Sequence, residues 1–299
     1  MPVPWQIVPW QYTGTGAPKP TLEDFLAPLN LPDRLGFSQD GEHELLGVRI
    51  GDSVKPVVLI VGGMHGNEWP STRSTARMIE VIQLPENTWL LEHFSFYVVP
   101  VANPWGYVHN RRQNSRNVDL ERNFDNQWET GDDNAEGTRW RGPSPNSEAE
   151  TIILRDLILS LQPVAVLDVH GWGGYDYSSM APVPHPELWG TRVQIAERCA
   201  LAAGLDYGTE FMLYPSNLSS FPSTMYSWAR YQTLSTLGAP PVTFLYEIGM
   251  QLDLAEQERQ GVMTILQVLY DLASWFTAEP VEVEPELDRY RRAQYYEYT

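Results

Sequence analysis

His65 and Glu68 stand three residues apart in Leu59-Ile-Val-Gly-Gly-Met-His-Gly-Asn-Glu-Trp-Pro70, where an apolar run gives way to paired glycines. An imidazole and a carboxylate at that spacing suit a metal ion, although His-x-x-Glu by itself is a common pairing. Two further ionisable groups occupy comparable places. His170 closes Val164-Ala-Val-Leu-Asp-Val-His170, and Glu247 sits in Val242-Thr-Phe-Leu-Tyr-Glu-Ile-Gly249. A buried carboxylate such as Glu247 is costly unless a partner neutralises it. Separately satisfied polar residues would meet that cost three times over, so one shared site is the simpler reading. Two His and one carboxylate make up the protein ligands of a catalytic zinc site, whose fourth position goes to water. Zinc brings the pKa of such a water to about 7. A carboxylate that is not a ligand then takes the proton and passes it to a leaving amine. Glu247 is the candidate for that second role.

These residues need strand ends to hold them, and the pattern supplies them. Val57–Val61 is a continuous β-branched run, the signature of a strand buried on both faces. Leu45–Ile50 and Phe94–Val101 read as strands, with 51–56 as a hairpin loop between the first of them and Val57. The runs ending at His170 and Gly249 read as buried strands too. Helices are expected over Pro70–Gln83, Ile152–Leu161 behind a capping box at Ser147-Glu-Ala-Glu150, Pro186–Ala203 with Gly204 as C-cap, and Leu252–Phe276. Residues 102–146 show no period and form a long loop region of the kind that carries function. Strands alternating with helices predict one α/β domain: a mixed, mostly parallel twisted sheet with helices on both faces. Open sheets of this kind bind ligands beyond the carboxyl ends of their strands. An irregular arm (1–20, five Pro and two Gly) and an acidic, aromatic tail (279–299) would flank that domain.

Composition narrows the partners. The 299 residues carry a formal net charge of −18, which argues against nucleic acid and anionic membrane. No apolar run approaches the roughly 20 residues of a membrane span. The N-terminal segment lacks the pattern of a signal peptide. The single Cys199 excludes an intramolecular disulfide and fits a reducing, cytoplasmic setting.

Five segments together resemble, in the right order, the motifs of the carboxypeptidase A-like zinc carboxypeptidases (funnelins). They are Met64-His-Gly-Asn-Glu68, Asn103-Pro-Trp-Gly-Tyr107, Asn117-Val-Asp-Leu-Glu-Arg-Asn-Phe124, Asp168-Val-His170 and Tyr246-Glu-Ile-Gly249. The likeness spans roughly residues 57–276. His-Gly-Asn-Glu and the run from Arg112 to Leu120 are nearer to small bacterial members than to the digestive enzymes. The resemblance implies one zinc ion per chain held by His65, Glu68 and His170, with Glu247 as general base and then acid. It implies that Arg112 polarises the scissile carbonyl and that Arg122, with Asn123 beside it, binds a substrate carboxylate. The flap tyrosine of the family falls at Tyr231, with Tyr226 as the other choice. The substrate would be a peptide or an acylated amino acid. Arg111, Arg112, Arg116 and Arg122 read otherwise as a solvated basic loop, but clustered Arg in an acidic chain suits an anionic group.

One departure bears on specificity. Glu121 stands where the family has an Asn that helps bind the terminal carboxylate. A Glu there repels a carboxylate unless it is protonated or paired with Arg, and instead suits a substrate amino group. A second departure is the absence of an Arg between His65 and Glu68. Trp105, Trp128, Trp140 and Trp172 lie in the same loops, as cleft walls or as packing residues. His43, His93, His109 and His185 read as surface or structural. Two other readings stand beside the peptidase: a deacylase like aspartoacylase or succinylglutamate desuccinylase, and a non-catalytic binding protein on the same fold.

Overall fold

A computed structural model of the protein describes residues 19–130, 137–172, 178–183, 192–213, 223–250 and 253–277. Its chain runs α1 (Leu22–Leu26), β1 (Asp33–Phe37), β2 (Glu44–Ile50), β3 (Val57–Gly62), α2 (Trp69–Val81), α3 (Leu90–His93) and β4 (Ser95–Val99). It continues through α4 (Pro104–His109), α5 (Ala149–Leu161), β5 (Ala165–Trp172), β6 (Ser178–Val183) and α6 (Arg192–Ala203). The last elements are β7 (Phe211–Leu213), α7 (Met225–Gln232), β8 (Val242–Gly249) and α8 (Leu254–Thr277). The strands form one sheet in the order β1-β2-β4-β3-β5-β8-β6-β7. Its centre, β4-β3-β5-β8, is parallel, while β2 and β6 join it antiparallel. The mixed, mostly parallel sheet is the one predicted.

Alternation along the strands divides the core in two. Val58 and Ile60 of β3 pack with Ala76, Ile195 and Val262 from α2, α6 and α8. Val57, Leu59 and Val61 face the other way, against Leu154 and Ile158 of α5 and Met225 and Trp228 of α7. Both faces of the central strands are apolar because both are covered, and that is why these segments read as unbroken hydrophobic runs. Asp168 and His170 share the parity of Val166 on β5, and Glu247 alternates with Tyr246 and Ile248 on β8. All three polar residues therefore face the α5–α7 side, and they come from neighbouring strands.

Two sequence expectations are corrected. Residues 51–56 are no hairpin loop: β3 lies between β4 and β5, so β2 pairs with β4 instead. The capping box at 147–150 does not form. Glu148 occupies the N-cap without a side-chain cap bond, Ser147 Oγ bonds Glu148, and the Glu150 carboxylate accepts from the Gln39 backbone and Asn114. Tertiary partners outbid the local motif. Strands β1, β6 and β7 have no counterpart in the sequence reading; β6 carries Pro182, which weakens any strand reading. Gly204, at φ +70, follows α6 as expected. The N-terminal arm up to residue 18, the start of the helix predicted at Pro186, and the tail from 278 lie outside the described residues. Among the described residues no helix is long and apolar enough to cross a membrane, and Cys199 is buried and free.

Candidate metal centre and active site

Beyond β3 the chain turns at Gly63, whose φ of +67 favours glycine. The turn is tied down by Ser71 Oγ, which accepts from the Gly63 amide at 3.1 Å and donates to Glu68 O at 2.6 Å. Glu68 is the N-cap residue of α2, yet its side chain makes no capping bond. Its carboxylate turns the other way. One oxygen lies 2.7 Å from His65 Nδ1, and the other accepts from the Gly171 amide at 3.0 Å and lies 3.2 Å from His170 Nδ1. The two imidazoles meet through Nδ1 at 3.1 Å. Ligand atoms from His65, Glu68 and His170 all fall within 4.8 Å of one another, and all three residues are buried.

Each histidine is held from behind. His65 Nε2 lies 3.0 Å from Asp119 Oδ1, and His170 Nε2 lies 3.0 Å from Asp168 Oδ1. A carboxylate behind a ring nitrogen fixes the proton there and leaves the opposite nitrogen with its lone pair. Two lone pairs and the Glu68 carboxylate then converge on one point, a donor set that fits zinc. Asp119 and Asp168 were quoted among the motifs but given no role. The signal was available at Asp168, since Asp-x-His on a strand places both side chains on one face.

Arg112 follows α4, whose N-cap Asn103 accepts from Gly106 N at 2.8 Å and donates to Arg112 O at 3.3 Å. Its guanidinium donates to Asp119 Oδ2 through Nε at 3.0 Å and to Glu121 through Nη2 at 3.1 Å. Nη1 reaches the metal cluster, 3.2 Å from His65 Nδ1 and 3.3 Å from Glu68. Arg122 Nη1 pairs with the same Glu121 oxygen at 2.5 Å. The Asn123 amide donates to Arg141 O, Ser144 O and Ser147 Oγ and accepts from Glu148 N. Tyr231 is half exposed on α7, whereas Tyr226 is buried near Glu121, Asp168 and Arg122.

Electrostatics follow from this packing. Burial works against the charge of Glu68, but His65 and His170 hold its carboxyl well below the usual range. Asp119, opposed by burial in the same way, is held low by Arg112 and His65. Glu121 stays at about 2 despite its burial, chiefly through Arg122. Glu247 stands in register beside His170. Burial lifts its pKa to about 7; His170 pulls it down, and Glu68 and Glu121 push it up.

Several of the other candidates make local contacts. Trp128 stacks under Arg141 at 4.4 Å and exchanges hydrogen bonds with its backbone and side chain. His109 stacks on Trp105 with ring centroids 4.1 Å apart, and His43 pairs with Asp40. His185 lies outside the described residues.

A mixed sheet that brings together two His and a Glu as candidate ligands, with a further Glu of raised pKa in register beside one of them, has a layout that suits a metal-dependent hydrolase. Residues 35–236 match the zinc carboxypeptidase family, and the chain belongs to it. It is similar to a metallocarboxypeptidase A-like protein of Trichophyton verrucosum (strain HKI 0517), 29% identical over 210 residues that cover 60% of this chain and 49% of that protein. A zinc carboxypeptidase of Simulium vittatum is 25% identical over 247 residues, 71% of this chain and 76% of its own. The chain spans between 30% and 49% of the length of the first three curated relatives. Among solved structures, carboxypeptidase A from Helicoverpa armigera superposes with a TM-score of 0.66 at 22% identity, covering 86% of this chain and 72% of that one. A metallo-carboxypeptidase from Burkholderia cenocepacia gives 0.63 at 18% identity, covering 85% and 68%. These structures share the fold. Glu247 and α8 lie beyond the family match.

Proposed function

We propose that this protein is a zinc-dependent hydrolase of the carboxypeptidase type that cleaves an amide bond in a peptide or an acylated amino acid. The observation that carries the reading is the meeting of His65 Nδ1, His170 Nδ1 and Glu68, with both imidazoles braced by carboxylates. His65, Glu68 and His170 would hold the zinc, which when bound would supply Lewis acidity and lower the pKa of a water toward neutrality. Glu247, with a pKa of about 7, is poised to take a proton from the attacking water and return it to the departing amine. Arg112, fixed by Asp119 and Glu121, presents Nη1 beside the ligands, where it stabilises the oxyanion formed on the scissile carbonyl.

The test has two parts. Elemental analysis of protein purified without chelator should give one zinc per chain, lost on His65→Ala or His170→Ala. Glu247→Gln should keep the zinc and lose turnover on whichever peptide or acyl-amino-acid substrate a broad screen identifies. A wild-type protein that cannot be loaded with zinc, or a Glu247→Gln variant with undiminished turnover, overturns the proposal.

A further inference from the structure

Glu121 is 4% exposed, and its Oε2 lies between two guanidinium groups, 3.1 Å from Arg112 Nη2 and 2.5 Å from Arg122 Nη1. The same oxygen lies 3.6 Å from His65 Nε2. Both cations are thus engaged by a carboxylate that belongs to the protein. Glu68 and Asp119 share Arg112 with it, and Asp168 lies behind His170. A substrate carboxylate approaching Arg112 Nη2 or Arg122 Nη1 finds those donors already paired with Glu121 and must displace or share that carboxylate, so that two like charges meet at short range. An uncharged or ammonium group meets no such conflict and finds an acceptor in Glu121. The fit parallels a pocket that rejects a ligand by leaving its buried polar groups badly paired.

Resting on the hydrolase reading above, we infer that Glu121 determines specificity by filling the place of a substrate carboxylate, so that the site takes amides whose leaving group carries an amine or a carboxamide and no free carboxylate. Glu121 acts as a built-in anion for the two arginines. Its geometry against them, not its sequence position alone, turns the site away from free carboxyl ends.

The experiment compares zinc-loaded protein on matched acyl-dipeptides with Ala, Leu, Phe or Lys in the last position. Each is made with a free carboxylate, a carboxamide, or the carboxylate replaced by hydrogen to leave a simple amine as product. The expected result is a kcat/KM at least about tenfold higher for the carboxamide or decarboxylated forms, a size set by like-charge repulsion near the surface of a site. Glu121→Gln, with zinc content and circular dichroism confirming its fold, should narrow or reverse the ratio, whereas Glu121→Asp should preserve it. Calorimetric titration of the wild type with phenylalanine, phenylalaninamide and phenethylamine tests the same preference by binding and requires no variant. Preference for the carboxylate series, or a ratio unchanged in a folded Glu121→Gln protein, overturns this inference alone. Turnover of no member of the panel and of nothing in the broad screen overturns the hydrolase reading beneath it, while the calorimetric preference still decides this inference.

Discussion

The Nδ1 atoms of His65 and His170 stand 3.1 Å apart, while the far nitrogen of each ring is bound to a buried aspartate. With Nε2 protonated toward Asp119 and Asp168, both facing nitrogens are acceptors, and such a pair is favourable only around a cation. Burial opposes protonation of either ring, yet the neighbouring carboxylates raise the pKa of both, His170 most strongly through Asp168. The pocket is therefore built to hold positive charge between its histidines.

Asp168 is the cleaner probe of that arrangement, because Asp119 also holds Arg112. Asp168→Asn should lower zinc affinity about 10- to 100-fold, measured by competition with a chromogenic chelator. Asp119→Asn should do the same and also loosen Arg112. Wild-type affinity in Asp168→Asn would show that the aspartate does not set the tautomer of His170.

Glu247 predicts a pH effect in the metal-free protein. Its folded pKa of about 7 lies above the ordinary 4.5, so the folded state holds this proton more tightly than the unfolded chain. The associated stability is fully present below about pH 4.5 and is lost as pH rises through 7. At one pKa unit per 1.36 kcal/mol the loss is of the order of 3 kcal/mol. Glu247→Gln should remove it. Denaturant unfolding of chelator-treated proteins should show the Gln variant gaining on the wild type between pH 5 and 8, and parallel pH profiles would exclude the effect.

Much of this was legible in the sequence because the central strands are buried on both faces. Val57–Val61 and Val242–Gly249 can only be interior strands, and His170 and Glu247 gain meaning as interruptions of such runs. The fate of 51–56 was not legible, since sheet order depends on which strand covers which edge. The capping box failed for a related reason: Glu150 and Ser147 serve Gln39, Asn114 and Asn123, all distant in sequence. Asn123 and Glu121 are close in sequence but point to different tasks, one bracing a loop and the other bridging two arginines. Motif spacing identified the segment, and only side-chain geometry separated the two.

Helix α2, which follows the His65–Glu68 loop, is anchored to α8 by a buried ion cluster. Glu258 accepts from Arg73 Nη2 at 2.6 Å and from Arg77 Nε at 2.9 Å, with all three side chains nearly inaccessible. Removing one partner of a buried pair leaves uncompensated charge and costs about 3–5 kcal/mol. Glu258→Ala should destabilise by that amount in urea unfolding. A loss below about 1 kcal/mol would mean that water enters and compensates the arginines.

Gly66, between the candidate ligands His65 and Glu68, is set by steric contact and not by backbone angle. A Cβ added there would come within 1.8 Å of the Gly106 carbonyl carbon and 2.1 Å of the Tyr107 amide nitrogen. Both are backbone atoms of α4, so no side chain can rotate aside. Gly66→Ala must push the loop off α4 and move His65 and Glu68 with it. Overpacking of this kind costs about 1–3 kcal/mol, and displaced ligands should lower zinc affinity as well. Gly41→Ala is the matched control: its φ of +74 strains an alanine, but nothing lies within 4 Å of the added carbon. It should cost about 1–2 kcal/mol of stability and leave zinc binding unchanged. Thermal unfolding and zinc titration of the two variants side by side separate the causes. Equal zinc affinity in both would show that the approach of α4 plays no part in placing the ligands.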